Sequence, residues 1–220
     1  MNEQASERRN GRGQGLVELA IVLPILLLLL MGVAEMGYLL RNYLVVINAD
    51  REACRFAARG RFSDHDVVER AVNAGGVVRL GGQDVPFLRT HGTEPNTGVI
   101  VTHIPMDSDG YVDVFSITTW VSGVVSAGPY STTYVQPSDS AISLTQIVQR
   151  QGEATQSINA ERAAGGYEEM DNHIVVVEVF FIHYPLFGNT LSNLSAGIVP
   201  EEPWIMRADT EMRVTTDRGG

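Results

Sequence analysis

The sequence predicts an α+β fold in which a long N-terminal helix, transmembrane in its first half, packs on a small antiparallel sheet. Three observations predict this fold. An almost uninterrupted apolar run covers residues 19–40, a helical repeat of apolar residues continues to about residue 60, and β-rich segments separated by polar turns begin near residue 99. A chain of 220 residues has the length of one domain with an appendage.

The apolar run has the length of a membrane span. Residues 19–40 contain one charged residue, Glu35, and one proline, Pro24. At 1.5 Å per residue such a helix crosses a hydrocarbon core of about 30 Å. Arginines at positions 8, 9 and 12 precede the run, so the positive-inside rule places the N-terminus in the cytoplasm. A cleavable secretory signal is the alternative, but the run is long for one and no small-residue cleavage site follows it.

Two residues inside the run interrupt its apolar pattern. Pro24 removes one backbone hydrogen bond, so we expect a bend there. Glu35 lies near the far end of the span, where we expect its carboxylate to be hydrated at the outer interface. Pairing with the transmembrane helix of a partner protein is the alternative for Glu35, because Gly32 and Gly37 leave room for close helix contact.

The residues before the apolar run form a processing motif. Gly13 is followed by Gln14, and Glu18 is the fifth residue after that glycine, which is the spacing found in type IV pilins and pseudopilins. The segments GRGQGLVELAIVLPILLLLLMGVAEMG and NADREACRFAARG resemble the N-terminal region of TadE-like minor pseudopilins of the tight-adherence (Flp) pilus system. The resemblance covers about residues 11–60, with a weaker likeness in HIVVVEVFFIHYPLF and RADTEMRV near the C-terminus.

The resemblance implies a function in pilus assembly. It implies that a prepilin peptidase cuts between Gly13 and Gln14, and that the mature, non-catalytic protein stays in the cytoplasmic membrane. It also implies that Glu18 pairs with the freed amino group of Gln14, since a carboxylate in an apolar helix is costly without a partner. A Glu18 that merely sits at the interface, favoured by the helix dipole, is the alternative. The implied partners are the peptidase, other pilins or pseudopilins, pilus-assembly membrane proteins and the lipid bilayer.

The sequence predicts that the chain has four parts. We expect a cytoplasmic leader at 1–13, a transmembrane helix at 14–40, an extracytoplasmic continuation at 41–60, and a globular head at 61–220. In the continuation, apolar residues recur at spacings of three and four at positions 46, 49, 53, 56 and 57. Asp50 and the arginines at 51, 55 and 59 fall on the other face, where we expect them to be solvated; an electropositive docking strip formed by the three arginines is the alternative. Cys54 is the only cysteine, and we expect it to be a buried packing residue.

The head is predicted to contain one short helix, a sheet and an insertion. We expect the helix at 64–74, a loop to about 98, and strands at 99–105, 111–122, 173–184 and 204–216, the first two paired as a hairpin. Residues 126–172 read as an inserted, mobile polar loop with a helix at about 139–162. Trp120 and Trp204 are expected to anchor the core.

Metal and cofactor sites have little support in the sequence. Asp107, Asp109 and Asp113 resemble part of a calcium loop, but the remaining oxygen ligands of such a loop are missing, and turn chemistry explains these residues equally. The five histidines, His65, His91, His103, His173 and His183, have no metal-binding spacing. We therefore expect no cofactor.

Composition and motifs restrict the function classes that remain. A net charge of −10 argues against nucleic acid as a partner, because phosphate binding depends on clustered Lys and Arg. No nucleophile elbow, phosphate loop or zinc-protease motif occurs in the sequence, which argues against an enzyme. A pseudopilin is favoured. An anchored extracytoplasmic protein that binds a ligand or the cell wall is the alternative, and an exported enzyme with scattered catalytic residues is a third hypothesis.

Overall fold

A computed structural model describes residues 3–60, 63–92, 94–127, 132–140, 142–187 and 203–214. The chain divides into two compact units. The first unit comprises residues 1–41 and 184–203, and the second comprises residues 42–183 and 204–220. Side chains of residues 3–14, 126, 127 and 132 lie outside the description.

The first element is helix α1, Glu3–Ala57. Its part in the first unit exposes apolar side chains on every side, and all residues from 15 to 27 are exposed. Its part in the second unit is amphipathic, with Val46, Ala49 and Ala53 completely buried. The predicted apolar face of the continuation is confirmed at these positions.

Helix α1 packs on the sheet of the second unit through two further residues. Cys54 is fully buried, and its Sγ lies 3.3 Å from the carbonyl oxygen of Thr210. Its predicted packing role is confirmed. Asp50 is only 1% exposed, so the expectation that it is solvated is wrong. It lies four residues from Cys54 and therefore on the same helix face, which turns toward the sheet.

The remaining elements follow in chain order. They are α2 (Asp64–Ala74), β1 (Val77–Leu80), β2 (Gln83–Pro86), β3 (Thr97–Met106), β4 (Thr118–Ala127), β5 (Thr132–Tyr134), α3 (Leu144–Ala164), β6 (Asn172–His183) and β7 (Trp204–Arg213). Strands β1 and β2 form an antiparallel hairpin. The other five strands form one antiparallel sheet in the order β5-β4-β3-β6-β7. The predicted α+β class is confirmed.

The predicted helix and strands of the head are found, with differences at several boundaries and with the additional strands β1, β2 and β5. Helix α2 has the predicted bounds because Ser63 caps its N-terminus. The Ser63 side chain accepts the backbone N–H of Asp66, and the Asp66 side chain accepts the backbone N–H of Ser63. The hairpin of β3 and β4 is confirmed, but β4 begins at Thr118 and residues 111–117 form a loop. The hairpin of β1 and β2 occupies part of the predicted loop. Strand β7 ends at Arg213, before the predicted residue 216.

The segment expected to be a mobile insertion is instead built into the fold at α3. Ile147 joins a buried cluster with Ile104, Met106, Ile174 and Val176. Gly152 approaches the backbone of Gly110 so closely that a Cβ on Gly110 would lie 2.5 Å from the Gly152 carbonyl oxygen. The interpretation of α3 as a surface excursion is therefore wrong, because one face of the helix covers the sheet.

Both tryptophans are half-buried, so the expectation that they anchor the core is wrong. The core consists instead mainly of aliphatic residues, with Phe180 and Phe181 of β6 and Phe87, which stacks on Phe181.

Candidate membrane and assembly site

The exposed apolar surface of α1 is the largest feature that needs a partner. The helix from Gly15 to Ala57 is long and apolar enough to cross a membrane, with a mean hydropathy of 2.8 over its most apolar 18 residues. None of that window is buried inside the structure, whereas the core helix of a soluble protein is mostly buried. Exposed Leu, Ile and Val side chains surround the helix from Leu16 to Val33, and such a helix suits a lipid environment. The surface therefore supports membrane anchoring.

The predicted processing residues lie at the beginning of this surface. Gly13 and Gln14 fall within α1, but their side chains lie outside the described residues. Glu18 is exposed and stands four residues after Gln14 in the same helix. Residues four apart face the same side of a helix, one turn from each other. The helix therefore brings the Glu18 carboxylate to the side of the chain on which Gln14 lies.

Pro24 lies inside α1 and is exposed among apolar residues. Helix α1 continues on both sides of it, since a membrane helix tolerates proline. The bend predicted at this position stays a prediction.

Glu35 is not hydrated, contrary to the expectation. Only 6% of the residue is exposed, and its two carboxylate oxygens accept backbone N–H groups of Leu186 and Phe187, each at 3.1 Å. All three residues belong to the first unit. Backbone donors replace water here, because a buried carboxylate needs hydrogen bonds to offset the loss of hydration. These donors are about 150 residues away in the sequence, so the local pattern around Glu35 gave no signal for them.

The three aspartates of the calcium-like segment shape turns. Asp107 Oδ1 accepts the backbone N–H groups of Asp109 at 3.1 Å and Tyr111 at 2.7 Å. Asp113 Oδ1 accepts the N–H of Phe115 at 3.0 Å. These are the hydrogen bonds of Asx turns, so the turn interpretation is confirmed for Asp107 and Asp113.

The fold brings together two histidines that the sequence separates by 70 residues. His103 Nε2 lies 2.7 Å from a carboxylate oxygen of Asp64, and His103 Nδ1 lies 3.1 Å from His173 Nε2. Burial, followed by the neighbouring His103, lowers the pKa of His173. His173 lines a cavity of about 530 Å³ together with Arg162 and the acidic segment 168–171. Sequence spacing could not find this row, because its members come from α2, β3 and β6.

The part of α1 in the second unit carries an unusual buried carboxyl group. Asp50 Oδ2 accepts a hydrogen bond from the Thr210 hydroxyl, while Oδ1 has no partner among the described residues. Burial raises the pKa of Asp50 to about 7, and the hydrogen bond from Thr210 opposes this rise. Burial also raises the pKa of the Cys54 thiol to about 12. A substrate in solution does not reach either group, because both residues are buried.

A comparison with protein families shows what the segment with the exposed helix is similar to. Residues 13–55 match the family model described as TadE-like protein. We call residues 13–55, which are similar to this family, the TadE-like segment. The resemblance inferred from the processing motif and the apolar run is thereby confirmed over this segment, which is about one fifth of the chain. No curated protein and no solved structure gives a significant match to the chain.

The TadE-like segment unites the features described above. It begins at Gly13, includes the whole exposed apolar surface, and extends to the packed part of α1 near Cys54. It supports involvement in the tight-adherence pilus, with membrane anchoring through α1. The second unit lies almost entirely outside the match.

Proposed function

We propose that the protein is a pseudopilin of the tight-adherence pilus, processed by a prepilin peptidase between Gly13 and Gln14. The observation that carries this proposal is the TadE-like match, which begins at Gly13 immediately before the exposed apolar helix. Removal of the leader leaves the apolar part of α1 at the new N-terminus. The anchor is therefore retained in the mature protein, unlike a secretory signal, which is removed.

Glu18 has a specific role in this proposal. Cleavage creates a positively charged amino group on Gln14, and Glu18 follows it by one helical turn. In the low dielectric of the membrane a carboxylate is costly alone and is stabilised by a nearby opposite charge. The pair forms within one subunit or between neighbouring subunits. In the second case it aligns the apolar helices of adjacent subunits at the same depth in the membrane.

The proposed topology is single-pass, with the leader in the cytoplasm and residues beyond 40 outside. Arginines at positions 8, 9 and 12 support this orientation through the positive-inside rule. The partners proposed are the prepilin peptidase, other pilins or pseudopilins, and the membrane proteins that assemble the pilus. We propose no catalytic role for the protein.

The processing step is tested with matched glycine variants. Gly13→Leu and Gly11→Leu both place a bulky residue in the leader, two positions apart. We expect Gly13→Leu to block cleavage in cells that contain the peptidase, whereas Gly11→Leu is cleaved like the wild type. Equal cleavage of both variants contradicts the proposed site.

The role of Glu18 is tested after cleavage. We expect Glu18→Gln to be cleaved and inserted in the membrane but to fail in pilus assembly, because the charge that pairs with the Gln14 amino group is gone. Glu7→Gln, in the part of the leader that is removed, is the matched control and is expected to assemble normally. Normal assembly with Glu18→Gln contradicts the pairing.

A further inference from the structure

The loop between β3 and β4 exposes an apolar tip that is held rigidly. In the turn at residues 113–116, the Asp113 carbonyl oxygen accepts the Ser116 N–H at 2.9 Å and its hydroxyl at 2.6 Å. Between them, Val114 is 69% exposed and Phe115 is 94% exposed. We call residues 113–116 the apolar turn.

The chain on both sides of the apolar turn is anchored in the core. Val112 and Ile117 pack against the buried cluster that contains Ile104 and Ile147. The apolar residues at the tip therefore project from a fixed base. Exposed apolar side chains on a well-held loop favour contact with another protein, because little ordering entropy is lost on binding.

An apolar groove lies elsewhere on the same unit. It has a volume of about 350 Å³ and is lined mainly by Val72, Val85, Pro86 and Leu88, with Arg89 among the polar residues of its wall. This volume is in the range of pockets that hold small ligands, about 300 Å³ and above, so it is large enough for an aromatic side chain. We call it the apolar groove.

The apolar turn and the apolar groove lie at opposite ends of β3. The Arg89 backbone N–H donates to Asn96 Oδ1 at 2.8 Å, and its carbonyl oxygen accepts the Thr97 N–H at 3.0 Å, which fixes the groove wall at the start of β3. The apolar turn follows the other end of this 10-residue strand. Thr118, two residues after the turn, pairs with His103, which lies six residues from Thr97, so strand rise separates the two by about 20 Å. The turn cannot fill the groove of its own chain, but it can fill the groove of a second copy.

The charges around the two features are complementary. Residues 107–117 contain three aspartates and no Lys or Arg. The groove wall contains Arg89 and no carboxylate. The Arg89 guanidinium bonds to the backbone carbonyls of Glu94 and Pro86, and it has no ion pair among the described residues. The acidic rim disfavours an anionic lipid surface as the occupant, whereas it suits a groove that carries a cation.

We propose that the apolar turn of one copy inserts into the apolar groove of the next, with Phe115 as the central side chain. In the proposed contact the two different surfaces meet in a heterologous way and repeat head to tail. A reciprocal exchange of turns between two copies is the other arrangement of these surfaces, and it would give a closed dimer and no ladder. The proposed contact goes beyond the proposed processing and anchoring, since it lies outside the TadE-like segment and does not require cleavage.

The contact is tested by disulfide crosslinking of the full-length chain in membranes. A variant with Val114→Cys and Val85→Cys keeps Phe115 and places one thiol at the turn and one in the groove. The native Cys54 is fully buried and does not compete. Under mild oxidation we expect a ladder of multimers, because each copy links to two others. Val114→Cys alone can give dimers at most, since it supplies a single accessible thiol.

Two controls make the result specific. Val114→Cys combined with Ile205→Cys, an exposed residue of β7, is expected to give no ladder. Phe115→Asp, added to the variant that carries Val114→Cys and Val85→Cys, is expected to abolish its ladder. Tyr167→Asp, at an exposed site just after α3, is expected to leave the ladder unchanged.

The crosslinking is done in cells that lack the prepilin peptidase, and the intact mass of the sample shows that the chain is uncleaved. The crosslinking result is then independent of processing. A ladder from uncleaved chains supports the contact whatever the outcome for cleavage. The same ladder from the Ile205 control pair, no ladder from the Val114 and Val85 pair, or crosslinks to a different protein only, each overturn the proposal.

Discussion

Replacement of Asp50 by Asn tests the packing of α1 on the sheet through its pH dependence. Burial raises the pKa of Asp50 from 3.8 to about 7, so between these values the folded state holds a proton that the unfolded state has lost. The free energy of unfolding therefore falls as the pH rises from about 4 through 7. A shift of about three pH units corresponds to about 4 kcal/mol. Asp50→Asn removes this dependence because the amide stays neutral.

The measurement is urea unfolding of the full chain in detergent, followed by tryptophan fluorescence. Trp120 and Trp204 both belong to the second unit, so the signal reports on the unit that contains Asp50. From pH 4 to pH 8, we expect the unfolding free energy of the wild type to fall by about 4 kcal/mol relative to that of Asp50→Asn. The pKa of His173 is lowered in the folded protein, so the unfolding free energy falls as the pH drops below 6.5. This loss is the same in both proteins and cancels when their unfolding free energies are subtracted.

Asp109→Asn is the control, since Asp109 is exposed and the substitution removes the same charge. Its stability is expected to run parallel to that of the wild type. Parallel curves for Asp50→Asn and the wild type between pH 4 and 8 refute the reasoning, because they mean that Asp50 titrates equally in the folded and unfolded chains.

The remaining predictions concern packing in the second unit. Burial and a pKa of about 12 keep Cys54 protonated and inaccessible, so mass spectrometry should show no alkylation by iodoacetamide until the chain is unfolded; rapid labelling of the native protein contradicts the packing described. Gly110→Ala should destabilise the second unit more than Gly76→Ala, by about 1–3 kcal/mol. Both glycines have φ near +75°, but only a Cβ on Gly110 meets backbone, that of Gly152. Equal urea midpoints for these two variants would falsify the close approach of α3.

Local patterns in the sequence predicted the elements that are defined by their own residues. The apolar run predicted the exposed part of α1, and the Ser63 cap with the two glycines at 75 and 76 predicted both ends of α2. A run of hydrophobic, mainly β-branched and aromatic residues predicted β6 within one residue at each end. In each case the signal lies within a few residues of the feature it predicts.

The features that the sequence could not predict depend on contacts between distant segments. Glu35 is buried because backbone donors at 186 and 187 reach it, and Asp50 is buried because Thr210 of β7 bonds to it. The row of Asp64, His103 and His173 exists only after β3 and β6 pair. Helix α3 reads as polar, with only Ile147 and three small or polar residues buried. Its packing therefore left no strong apolar repeat in the sequence.

The most direct test of the proposed function is the N-terminal residue of the membrane-extracted protein, measured with the intact mass in cells with and without the prepilin peptidase. The proposed function predicts that the chain begins at Gln14 when the peptidase is present and at Met1 when it is absent. A chain that begins at Met1 in both contradicts pseudopilin processing and favours an anchored binding protein. A chain cut beyond residue 30 in both contradicts membrane anchoring and identifies the apolar run as a secretory signal.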